Sequence, residues 1–124
     1  MNGQMGSSLI AQYNPGWLGY LKGADLTCPG PANTFVFCDE HPGSINDGSL
    51  QIDSSSSIFP DLPASYHGNA CGFSFADGHA EERRWRTAAL AIPVSMGASF
   101  SSITVSANNA DWLWFIQHAT CIQH

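Results

Sequence analysis

From residue 70 onward, apolar and small side chains alternate. Cys71, Phe73 and Phe75 interleave with Gly72, Ser74 and Ala76, the period-two pattern of a strand with one face in a core. Asp77-Gly78 follows, a two-residue hairpin signal whose type I′ turn needs positive φ at both central positions. The segment HAEERRW (79–85) is predicted to return as the partner strand. A further strand is predicted over 33–41 (NTFVFCDEH), with Phe35 and Phe37 on one face and Val36 and Cys38 on the other. Both faces are apolar, so this strand is placed inside its sheet. PGSINDG (42–48) connects it to 49–53, where Leu50 and Ile52 alternate with polar residues. FSSITVS (100–106) offers a fifth strand. Near the C-terminus Asn108 and Asn109 are natural helix N-caps. Asp111 falls in the favourable first turn, and Trp112, Phe115, Ile116 and Ala119 recur at helical spacing.

The expected fold is therefore α+β: a twisted antiparallel sheet of about four strands, in hairpins over 33–53 and 70–85, with a C-terminal helix. A chain of 124 residues makes one domain, 1–124. Residues 1–12 carry little pattern and are expected to be poorly ordered or loosely docked. GWLGYLKGADL (16–26) predicts a turn or short helical piece, and CPGPAN (28–33) a rigid turn.

Composition narrows the function. Hydrophobic residues make up 44%, charged residues 11%, and the formal charge is −6. Lys22, Arg83, Arg84 and Arg86 are the whole basic inventory, too few to track a phosphate backbone, which excludes nucleic acid as a partner. SLIA (8–11) is too short for a signal peptide or a membrane segment. The cysteines lack CxxC spacing, which argues against structural zinc. Cys38 and Cys71 fall in predicted strands as small buried residues. Cys28 and Cys121 lie near element ends and are able to pair in an oxidising compartment; the sequence leaves that pairing open.

Candidate chemistry gathers around carboxylates. In an up-and-down meander, Asp39, Glu40, His41, Asn46, Asp47, Asp77 and His79 share one rim. Asp39, Glu40, Asn46, Asp47 and Asp77 are then candidate metal ligands, and their oxygen-rich character suits Ca²⁺ before Mg²⁺. The plainer alternative leaves these groups solvated or bonded to their own turns. An enzyme reading adds His41 or His79 as base to a metal-activated water that opens a small ester or lactone. GFSFA (72–76) approaches a nucleophile elbow but lacks the closing glycine and lies within a strand, so it predicts no serine nucleophile. A third reading is a binding module using the aromatics Tyr13, Trp17 and Tyr66.

His67, nine residues, then Asp77-Gly78 resembles the "H, nine residues, DG" motif of prepilin-type processing-associated proteins, relatives of the G-type pseudopilins of type II secretion. The likeness is carried by FVFCDEHPGSINDG (35–48), DLPASYHGNACGFSFADGH (61–79) and DWLWFIQHAT (111–120). It covers most of residues 13–120, with 87–106 poorly covered. The resemblance implies a pseudopilin-like globular domain and a structural role in a pseudopilus or pilus-like filament. It implies other pseudopilin or secretion-system subunits as partners, a place in the cell envelope or outside the cell, and calcium bound in a loop. That family's calcium loop is not recognisable position by position. Relatives begin with a processed leader and a long apolar assembly helix. This chain resembles the part that follows, and without that helix it is expected to be soluble. An extended chain from His67 to Asp77 spans about 33 Å, so the motif's His and its Asp-Gly are expected at opposite ends of one strand.

Overall fold

In the computed structural model, which describes residues 1–6 and 14–123, the 70–76 segment is the centre of the main sheet. The strands are β1 (Phe35–Cys38), β2 (Ile58–Phe59), β3 (Ala70–Phe75), β4 (Ala80–Arg84) and β5 (Ile103–Thr104). Among the described residues one α-helix, α1 (Ala110–Ala119), follows them. The main sheet has the order β1-β3-β4, and β2 pairs with β5 in a second, two-stranded sheet. All these pairings are antiparallel, so the α+β class with a C-terminal helix is the observed architecture. The 16–33 region forms short 3-10 turns at Gly23–Asp25 and Pro31–Asn33.

The β3–β4 hairpin forms with Ala70 opposite Arg84 and Ser74 opposite Ala80. Its turn differs from the expected type I′. Gly78 has φ 95°, whereas Asp77 is not among the positive-φ residues. Gly78 N donates to Phe75 O at 3.0 Å and Phe75 N to His79 O at 2.9 Å. The loop is thus Ala76-Asp77-Gly78, three residues closed by a glycine in the left-handed region. The Asp77 carboxylate accepts from His79 N at 3.1 Å, a local bond that aspartate favours in turns.

The hairpin expected over 33–53 does not form. β1 pairs with β3 on one side, and its other edge takes the first residues of the chain: Asn2 N donates to Val36 O at 2.8 Å. Leu50 then pairs with that segment rather than with β1, through Gly3 N to Leu50 O at 2.9 Å and Leu50 N to Met1 O at 2.7 Å. The approach is so close that a Cβ on Gly3 would stand 2.5 Å from Leu50 O. Asn2 Nδ2 also donates to Phe35 O at 2.9 Å and to Ala119 O at 3.1 Å. Residues 1–6 are therefore tied into the sheet and helix, contrary to the expectation of a loosely held start. The remainder of that expectation, and Tyr13, lie outside the described residues.

A register shift between Phe35 and Phe37 sets which side chains enter the core. Phe35 opposite Phe75 is 0% exposed, whereas Phe37 opposite Ser74 is 57% exposed. The extra residue turns the following side chains over, so the two phenylalanines do not share a face. Phe35 meets Phe73 edge-on at 5.1 Å and Phe115 at 5.4 Å, and Phe59 meets Phe115 at 5.3 Å. The helix buries the predicted stripe of Trp112, Phe115, Ile116 and Ala119. Its N-cap Asn109 accepts from Asp111 N and Trp112 N. A Cys28–Cys121 disulfide joins segments 93 residues apart, while Cys71 is buried and Cys38 partly so.

Candidate functional site

Because β1 runs directly antiparallel to β3, residues after Cys38 arrive beside the start of β3, not its end. This divides the expected rim. Asp39 Oδ2 stands 3.7 Å from His67 Nε2, with both side chains about half exposed. Asp77 and His79 lie past the far end of β3, where the His79 ring bonds Asp77 Oδ1 and stacks on Phe75 at 4.4 Å. The bond from His79 holds the Asp77 carboxyl below its ordinary value. Asp77 therefore does not join Asp39, Glu40 and Asp47. His67 and Asp77-Gly78 stand on either side of β3 in the chain, with all six of its residues between them.

His41 turns inward. It is 1% exposed. Gly43 N donates to its Nδ1 at 3.0 Å, and its Nε2–H faces Ile92 O at 3.1 Å. Phe100 packs edge-on against the ring at 5.1 Å. Both ring nitrogens are engaged by backbone, which fixes the loops over 41–44 and 90–100 together and leaves neither nitrogen for a substrate.

What remains of the rim centres on Glu40, Asp47 and a residue the sequence did not flag, Asp61. Ser44 Oγ donates to Glu40 Oε1 at 2.9 Å, Gln51 N to Asp61 Oδ2 at 2.6 Å, and Ser49 N to Asp47 Oδ1 at 2.7 Å. Burial pushes the Glu40 carboxyl up from its ordinary value; the Ser44 bond opposes that rise and the Asp61 charge adds to it. Burial likewise raises Asp61, against the Gln51 amide and with the Asp47 charge. These three carboxylates share a field. Asn46 is exposed beside them. Among the described residues, no group of three or more His, Cys, Asp or Glu side chains is arranged to hold a metal ion. Asp61 lies in an FPDLP loop, and only its isolation among apolar residues hinted at burial.

The most heavily bonded carboxylate is elsewhere. Asp111, 0% exposed, accepts from Arg86 N at 2.8 Å, Thr87 N at 2.7 Å, Thr87 Oγ1 at 2.7 Å and Arg83 Nη2 at 3.1 Å. Burial alone would raise this carboxyl, but the bonds from Thr87, Arg86 and Arg83 outweigh it and hold it below the ordinary value. The Arg83 guanidinium also lies 4.9 Å from the Trp114 ring centre. Asp111 therefore does more than complement the helix dipole: it locks the end of β4 onto the start of α1.

The chain matches no protein-family model, no curated protein and no solved structure. Among the described residues, no helix is long and apolar enough to cross a membrane.

Proposed function

We propose that this domain is a structural, pseudopilin-like subunit of a type II secretion or pilus-like system, working in the cell envelope or outside the cell beside other such subunits. The observation that carries the reading is where the motif residues stand. His67 precedes the central strand and faces Asp39, and Gly78 takes positive φ in the turn that follows it. Both therefore have architectural tasks. The Cys28–Cys121 disulfide is in keeping with an oxidising compartment. Calcium remains part of this reading as a proposed ligand of the domain, tested by calorimetry, although the described carboxylates form no ready-made group of three for it. A metal-dependent hydrolase acting on a small ester or lactone draws less support, because His41 is sealed in the core and His79 lies at the other end of β3 from Glu40. The test is to tag the protein in its native cells, shear the cell surface, and probe the envelope, sheared and cytosolic fractions. Recovery in the envelope or sheared material, together with other filament subunits, is expected. Recovery in the cytosol alone, or turnover of esters or lactones that is lost in His79→Ala, would overturn the structural reading.

A further inference from the structure

Among the described residues, β4 pairs on one side only, with β3. Phe75 N donates to His79 O at 2.9 Å and Trp85 N to Asn69 O at 2.8 Å. Backbone groups alternate sides along an antiparallel strand. Those of Glu81 and Arg83 therefore also face β3, and those of Ala80, Glu82 and Arg84 face away from it. None of these outward groups meets another backbone group among the described residues. Nor are their side chains covered: Ala80, Glu81, Glu82 and Arg84 are all exposed. The strand pairs without a bulge from Ala80 to Arg84 and contains no proline, so two common protections of a sheet edge are missing. Its charges remain. Glu81 and Arg83 share the face of Phe73 and Cys71, which stand opposite them, and Arg83 is neutralised there by Asp111 at 3.1 Å. Glu82 and Arg84 share the outer face. Among the described residues neither has an ionic partner, and the Arg84 fork is held only by Nη1 to Gly68 O at 2.9 Å.

We propose that β4 pairs antiparallel with β4 of a second copy of this chain, about a two-fold axis at Arg83, so that the two main sheets become one. Symmetry and backbone together choose that register. A two-fold contact sets residue i against j and j against i, and outward-facing residues must oppose one another to exchange their bonds. A centre at Ala80 or Arg84 would leave half of the strand unpaired, and a centre at Glu81 or Glu82 would set a glutamate against itself. The centre at Arg83 sets Glu82 of one copy against Arg84 of the other, and does so twice. Opposite charges facing each other across strands stabilise the pair, and like charges there destabilise it. The one like pair in this register, Arg83 with Arg83, carries charges that Asp111 already offsets in each copy. Main-chain bonds supply the attraction, as in other strand additions, and the charges choose the partner. The contact is closed, because each copy spends its only β4 edge on the other. It is argued from β4 alone and does not rest on a role in a filament.

The test is sedimentation equilibrium of the purified full chain from about 1 μM to about 1 mM. A monomer–dimer equilibrium is expected. Glu82→Arg alone, or Arg84→Glu alone, sets like charges opposite twice and should weaken the dimer at least about tenfold. The double variant Glu82→Arg with Arg84→Glu restores both pairs in reverse and should return to within about threefold of wild type. Glu82→Pro removes an N–H that the monomer leaves unused, at an edge position where proline is tolerated. It should keep the monomer's circular dichroism and abolish the dimer. Should Glu82→Pro fail to fold, the single and double charge variants alone decide. A monomer at every concentration, assembly beyond a dimer, or a dimer that survives Glu82→Pro would overturn the pairing. A double variant no tighter than the single ones would overturn the register.

Discussion

Asp111→Ala is expected to be among the most damaging substitutions in this chain, although a sequence reader would place Asp111 at an ordinary helix start. The side chain is wholly buried and accepts four hydrogen bonds. Removing it leaves the Arg86 and Thr87 amides without an acceptor and strips Arg83 of its counter-charge. Breaking a buried pair from one side costs about 3–5 kcal/mol. Arg83 keeps 23% of its side chain exposed, so hydration recovers part of that and the lower end applies, about 3 kcal/mol. Asp111→Asn separates the contributions. An amide oxygen can replace Oδ2, which receives Arg86 and Thr87, but its NH₂ would then face Arg83 Nη2 where Oδ1 stood. The Asn variant should therefore lose about 1.5–3 kcal/mol, the range for hydrogen bonds to a charged group. Acid gives the second readout. The folded-state pKa lies below the ordinary 3.8, so the stabilisation is complete above that value and is lost as pH falls through the folded pKa. Urea unfolding of wild type and Asp111→Asn should show a gap at neutral pH that closes below about pH 4. A gap that does not change with pH, or an Ala variant within about 1 kcal/mol of wild type, would refute the assignment.

The remaining expectations can be checked by the same unfolding experiments. Phe73→Ala should cost about 3–5 kcal/mol, because the ring is 2% exposed between Phe35, Trp85 and Trp114. Phe37→Ala should stay within about 0.5 kcal/mol, and a large loss there would mean that the register shift in β1 is misplaced. Replacing Cys28 and Cys121 together by Ser should cost about 4–5 kcal/mol, since the bond closes a loop of 93 residues; a change under about 1 kcal/mol would argue that the cysteines are not joined. Gly78→Val should cost more than about 1 kcal/mol through backbone strain alone, since φ is 95° and nothing crowds a Cβ there; an unchanged Tm would rule out that conformation. Glu40 and Asp61 are raised by burial, so stability should increase as pH falls through their folded-state values towards the ordinary carboxylate range, and less so in Glu40→Gln; bound Ca²⁺ should raise Tm at neutral pH, and calorimetry showing no binding at millimolar Ca²⁺ removes it from the functional reading.

The legible parts of this fold were those governed by local rules. The alternation in 71–76, the glycine after Asp77 and the stripe from Trp112 to Ala119 each depend on neighbours a few residues away, and each appears where the pattern placed it. The illegible parts were long-range choices between edges. Nothing in residues 49–53 announces that the edge of β1 is already taken by Asn2, some 34 positions earlier in the chain. Nor does a run such as FVFC show that one extra residue will turn Phe37 outward while Phe35 stays inside. The candidate rim failed for the same reason. A meander would have brought the end of β1 to the 77–78 turn. Direct antiparallel pairing of β1 with β3 instead brings it to His67, and Asp39 and Asp77 are left at opposite ends of the strand. Cooperation among carboxylates is a property of topology before it is a property of composition. A chain with ten acidic residues can hold its most consequential one, Asp111, where only a folded arginine, a threonine and two loop amides reveal it.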